Sequence, residues 1–225
     1  MKVAENLAAI QANIQKACEN ANRNEQDITL IGVTKYVTIE RANEAVHAGV
    51  THLGENRIEG LLAKKAEINN AVWHFIGSLQ SRKVKEMIDE VDFIHSLDRM
   101  SLAKEINKRA NKVIDCFLQV NVSGEESKHG ISPDNVPTFV TELAQFENIR
   151  VAGLMTMAPY IEDEGKLRDI FGRLRNLRDE IEAKGWEHAP CHYLSMGMSN
   201  DYMLAIEEGA THIRIGSDLV GPYEE

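Results

Sequence analysis

A lysine closes the run Ile28-Thr29-Leu30-Ile31-Gly32-Val33-Thr34, and this amine, Lys35, is the side chain in the sequence best placed for covalent chemistry. Apolar and β-branched positions fill the run, the pattern of a strand buried on both faces in a parallel sheet. Such a strand delivers its last residue to the mouth of the sheet, where low dielectric favours the neutral amine. The neutral amine is the form that condenses with an aldehyde or ketone. The plainer reading is a lysine that reaches solvent where its strand ends. A second cluster is Ser195-Met196-Gly197-Met198-Ser199-Asn200-Asp201, followed by Arg214-Ile215-Gly216-Ser217. Glycine lets backbone approach an anion, serine hydroxyls donate to it, and helix-start N–H groups favour negative charge. Together these stretches suit a phosphate, provided that Asp201 points away. Ser199 as a simple N-cap and Gly216 as a simple turn are the competing readings.

The elements that must position these groups are short apolar runs alternating with helical patterns. Candidate strands cover 28–35, 51–56, 73–80, 93–98, 116–123, 151–159, 192–199 and 212–221. Helical segments are expected at 3–22, 39–48, 57–69, 82–90, 99–111, 134–147, 163–184 and 201–209, with Ser132-Pro133 as a helix start. Leu167, Ile170, Phe171, Leu174, Leu177 and Ile181 form the clearest helical stripe. This alternation predicts an α/β fold, a (β/α)8 barrel in one domain over 1–225, with an open doubly wound sheet as the alternative. In a barrel all strand C-termini share one face, where Lys35, Asn56, Ser199 and Ser217 would meet, and loops after strands seven and eight often hold phosphate. His52, His74 and His212 read as hydrogen-bonded strand histidines. Met155, Met157, Met196 and Met198 read as packing near a pocket, and Tyr36 as a structural residue on the far face of its strand. The polar stretch 123–132 reads as a solvated loop.

Composition sets outer limits. A chain of 225 residues with net charge −10 is a poor match for nucleic acid or an anionic membrane surface. No apolar stretch reaches the length of a spanning helix, and the N-terminus lacks the apolar core of a signal peptide. Cys18, Cys116 and Cys191 are odd in number and far apart, as expected of reduced thiols in a cytoplasmic protein, and no histidine pattern suggests a metal.

Taken in order, Thr34-Lys35, Gly54-Glu55-Asn56, Trp73 through Gln80, His129-Gly130, Gly153 through Ala158, Leu194 through Ser199 and Arg214 through Ser217 resemble the pyridoxal phosphate homeostasis proteins, relatives of the barrel domain of alanine racemase. The resemblance implies a fold-type III barrel with pyridoxal 5'-phosphate (PLP) held as a Schiff base on Lys35. It also implies phosphate contacts from Ser199, Gly216 and Ser217, Arg214 facing the pyridine nitrogen and Asn56 beside the ring. Met196 and Gly197 complete the expected cofactor contacts. In the racemases a second base comes from a tyrosine of a C-terminal β-domain. This sequence stops at Glu225, just past its eighth strand, so that domain is expected to be missing. An arginine at the ring nitrogen weakens the electron sink that carbanion chemistry needs. The resemblance therefore implies a monomeric protein that carries or buffers PLP, passes it to PLP-dependent apoenzymes and lacks robust catalysis. A small amino-acid racemase is the main alternative, with a class I aldolase and a cofactor-free scaffold behind it.

Overall fold

Eight short strands carry the chain round a closed parallel barrel in the computed structural model, which describes residues 2–222. They are β1 (Thr29–Val33), β2 (His52–Glu55), β3 (Val72–Phe75), β4 (Phe93–Leu97), β5 (Ile114–Gln119), β6 (Ile149–Met155), β7 (Tyr193–Ser195) and β8 (His212–Ile215). Their order round the barrel is their order in sequence, and β8 closes onto β1 with Thr29 opposite His212 and Gly32 opposite Ile215. That pairing rules out the open sheet. The strands are shorter than the apolar runs that announce them, because the C-terminal portions of those runs leave the sheet, as loops or, in the last run, as a short helix. Seven helices occupy the crossovers and the N-terminus: α1 (Val3–Asn20), α2 (Ile39–Ala48), α3 (Ile58–Glu67), α4 (Met100–Arg109), α5 (Val136–Leu143), α6 (Glu164–Glu182) and α7 (Tyr202–Glu207). A four-residue helix, α8 (Ser217–Val220), follows the last strand.

Three expectations change. The segment 82–90 is not an α-helix but two 3-10 turns, Ser81–Glu86 and Ile88–Glu90. Met87 between them has φ −140°, which breaks the helix while still burying Val84, Met87 and Ile88. Pro133 opens a 3-10 turn ahead of α5, and the Ser132 side chain makes no capping bond. The strand expected over 212–221 ends at Ile215, so Ser217 begins α8. On α1, Leu7, Ile10, Ile14 and Ala17 are buried at the expected helical spacing. No helix among the described residues is long and apolar enough to cross a membrane.

Candidate functional site

A cleft of about 460 Å³ opens where the strands end, and Lys35, Asn56, Ser199, Arg214, Gly216 and Ser217 all line it. Larger hollows lie elsewhere, 610 Å³ beneath α1 and 970 Å³ beside α1 and α7, but neither contains Lys35 or Arg214. β1 ends at Val33, so Lys35 sits in the following turn and is exposed, in place of the low-dielectric enclosure expected for it. The residue before it is held firmly. Thr34 Oγ1 donates to Glu55 Oε1 at 2.7 Å, and Lys64 Nζ from α3 donates to that oxygen at 2.6 Å and to Thr34 O at 2.8 Å. Thr34, Glu55 and Lys64 are all buried, so an ion pair fixes the backbone that presents Lys35. Tyr36 belongs to this face too, contrary to its expected place. Its φ is +65°, and its hydroxyl accepts from Asn56 Nδ2 at 3.3 Å.

Asn56 follows β2 and offers the cleft a buried acceptor. Its Oδ1 is buried without a hydrogen-bond partner, a state that costs free energy until a donor arrives. Its backbone is overlaid by Gly77, where a Cβ would stand 2.3 Å from Asn56 O, so only glycine fits. At the other side of the cleft, Ser199 is half-buried and Ser217 exposed, and neither hydroxyl is engaged by a described residue. The loop between Ser195 and α7 is shaped by Gly197, which has φ +100° and lies so close to Ala205 that a Cβ would approach its Cβ to 2.7 Å. Asp201 is turned under this loop, accepting from Met198 N at 2.7 Å, and does not line the cleft. Asp201, not Ser199, occupies the N-cap position of α7, which leaves the Ser199 hydroxyl to face the cleft. Two free hydroxyls with no carboxylate among the lining residues fit a phosphate.

Arg214 projects from β8 into the floor of the cleft. Its guanidinium donates to Ser195 Oγ through Nη1 and to Thr156 O through Nη2 at 3.1 Å. Burial lowers its pKa to about 10, partly opposed by the carboxylate of Asp201, so it is a cation at neutral pH. It fits an acceptor such as an unprotonated ring nitrogen. Gly197 contributes from behind, accepting from Arg214 N at 3.0 Å. Met196 and Gly197 are the two expected cofactor contacts that do not line the cleft: the Met196 side chain is fully buried in the core, while Met155, Met157 and Met198 line the cleft. The strand alternation that turns Ser195 inward sends the next residue outward. Ser78, Gln119, His129 and Asn200 also line the cleft; Ser78, His129 and Asn200 fall within motif stretches singled out in the sequence, whereas Gln119 lies outside all of them. Gln119 is the last residue of β5, so its place at a strand end was the available signal, while His129 enters from the 123–132 loop.

Known proteins share this plan. A family model described as alanine racemase, N-terminal domain, matches residues 6–224. A pyridoxal phosphate homeostasis protein of Aquifex aeolicus is 44% identical, with 98% of each chain covered, and one of Pseudomonas aeruginosa is 35% identical, covering 97% of this chain and 95% of its own. The structure of PipY from Synechococcus elongatus with PLP bound is 31% identical and superposes with a TM-score of 0.84 over 97% of this chain and 100% of its own. The alanine racemase of Clostridium difficile, at 17% identity and a TM-score of 0.75, covers 95% of this chain and 58% of its own, and shares the fold. By these matches the chain belongs to the pyridoxal phosphate homeostasis protein family, whose barrel is that of the alanine racemase N-terminal domain.

Proposed function

We propose that this protein binds PLP in the 460 Å³ cleft and buffers it for PLP-dependent apoenzymes, acting in vitamin B6 and amino-acid homeostasis without robust turnover of its own. The observation that carries this reading is the gathering of Lys35, Asn56, Ser199, Arg214 and Ser217 round one cleft. Relatives named as pyridoxal phosphate homeostasis proteins, and the PipY structure with PLP, support it. When bound, PLP supplies an aldehyde and an electron-withdrawing pyridine ring. Lys35 brings its amine from an exposed turn, where incoming and outgoing carriers can reach it. Ser199 and Ser217 hold the phosphate, with Gly197 and Gly216 shaping the backbone beside them. Arg214 faces the ring nitrogen as a cation and has no proton to give up at neutral pH. The titratable residues in the lining are Lys35, His129 and Arg214, so no carboxylate is available there to protonate the ring. That combination favours holding the cofactor over driving carbanion chemistry. The protein is proposed to work as a monomer in the cytoplasm, where its three buried free thiols would persist.

The purified protein should absorb visible light, and borohydride should fix a pyridoxyl group on the peptide carrying Lys35. Labelling of another lysine with Lys35 untouched would overturn the site. Deuterium exchange and racemisation of L-alanine and L-serine decide the question of turnover. Each missing acid or base costs about 10²–10⁴-fold in rate, so both should be far below enzymatic levels. Turnover near one per second on the usual enzymatic scale, abolished by Lys35→Ala, would make the protein a racemase.

A further inference from the structure

A line of buried polar side chains, none of them in the cleft lining, joins Arg214 to the opposite end of the barrel. His52 Nδ1 lies 2.9 Å from His74 Nε2, His74 Nδ1 2.8 Å from His95 Nε2, and His95 Nδ1 2.9 Å from Ser195 Oγ. Arg214 Nη1 donates to the same Ser195 oxygen. His74, His95 and Ser195 are fully buried, whereas His52 opens β2 and borders the 610 Å³ hollow beneath α1. Stacking locks the inner rings, His74 on Phe93 with centroids 4.6 Å apart and His95 on Phe117 at 4.3 Å.

Hydrogen-bond bookkeeping gives this line one direction. A guanidinium can only donate, so Ser195 Oγ accepts and its own hydrogen goes to His95 Nδ1. His95 then carries its proton on Nε2 and donates to His74 Nδ1. The same step repeats at His74, which donates to His52 Nδ1 and leaves the His52 Nε2–H facing the hollow. In the reverse direction Ser195 Oγ would receive two donors, and its hydrogen would find no acceptor among the described residues. Burial, reinforced by neighbouring charges, holds His74 and His95 well below the usual imidazole range, so both are neutral in this line.

We infer that His52, His74, His95 and Ser195 form a one-way hydrogen-bond relay that positions the Arg214 guanidinium, with His52 as its solvent end. Aligned bonds polarise one another, so each ring strengthens the acceptor offered to Arg214. With Ser195 Oγ on one nitrogen and Thr156 O on the other, the planar fork has a single orientation. These residues act through Arg214, and only that last link rests on the cofactor reading.

Protein labelled with ¹⁵N-histidine tests the direction without any variant or cofactor. At pH 7, His52, His74 and His95 should each be neutral with the proton on Nε2. A Nδ1–H tautomer or an imidazolium at any of the three overturns the relay. The holoprotein, loaded with ¹⁵N-PLP, tests the positioning. Ser195→Ala and His95→Phe should shift the ring-nitrogen signal and weaken PLP about tenfold, the loss expected for one bond to a charged group. His95→Asn, which keeps an acceptor for Ser195, should restore the parent signal. Variants that melt like the parent yet leave ring signal and affinity unchanged would also overturn the proposal. If PLP does not bind the parent at all, the cofactor reading fails, while the tautomers still decide the relay.

Discussion

Lys64→Met tests whether the buried ion pair behind Lys35 holds the site together. Lys64 is 5% exposed and Glu55 1%, and the amine makes two bonds, to Glu55 Oε1 at 2.6 Å and Thr34 O at 2.8 Å. Methionine keeps the length of the side chain and removes the charge, so the change leaves a buried carboxylate with only the Thr34 hydroxyl. Two charge-assisted bonds at about 1.5–3 kcal/mol each bracket the loss at ~3–6 kcal/mol. Breaking one partner of a buried pair costs about 3–5 kcal/mol, which agrees. Taking ~4 kcal/mol, at about 2–4 °C per kcal/mol for a domain of this size, Tm should fall by ~8–16 °C. Denaturant unfolding gives the free energy directly. The double variant Glu55→Met with Lys64→Met replaces the pair by apolar side chains and should regain at least half of the loss. A single-variant loss under about 1 kcal/mol, the value of an exposed pair, would refute the reasoning. So would a double variant no more stable than Lys64→Met.

Ser199→Ala combined with Ser217→Ala should weaken PLP at least tenfold, since each hydroxyl bond to a dianion is worth about 1.5–3 kcal/mol; equal affinity of the parent for PLP and pyridoxal would rule this pocket out. Gly77→Ala places a Cβ 2.3 Å from Asn56 O, a backbone atom that cannot swing aside. It should cost about 1–3 kcal/mol and loosen PLP by displacing Asn56, as read by denaturant unfolding and cofactor titration. Burial depresses His74, His95 and His212, the last to about 3, against an ordinary 6.5. The unfolded chain therefore binds more protons over this window. Stability should be full above pH 6.5 and lost as pH falls, toward about 3 for His212. Three such groups give a slope near ~4 kcal/mol per pH unit, at about 1.4 each. Denaturant midpoints that stay level between pH 7 and pH 5 would contradict it.

What the sequence revealed depended on whether the information was local. Buried parallel strands announce themselves through apolar and β-branched runs, so all eight strands were legible, as was the stripe of α6. Barrel closure was not, because Thr29 and His212 meet across nearly the whole chain. The segment 81–90 carries apolar residues three and four apart, a spacing that a 3-10 turn and an α-helix both satisfy over so short a stretch. Lys35, Ser199 and Ser217 were legible because each follows a strand, and in a barrel that position alone assigns a face. Met196 went astray because one residue of strand phase separates the cleft from the core.

The groups that were missed are those whose meaning exists only in contact. Nothing about Lys64 on α3 distinguishes it from a solvated lysine until the fold lays it between Glu55 and Thr34. The histidine line is subtler, since it did leave a trace. His52 to His74 is a separation of 22 residues and His74 to His95 of 21, about one β/α unit each. A parallel barrel repeats its strands at about that interval, so such spacing brings the rings within reach on successive strands, each two residues beyond the position opposite the previous one. Read singly, each is an ordinary strand histidine, and that reading is correct as far as it goes: each is hydrogen-bonded. What it lacks is the partner, because the other end of every bond belongs to a different strand. Only Arg214, a donor that cannot accept, then gives the whole line its direction.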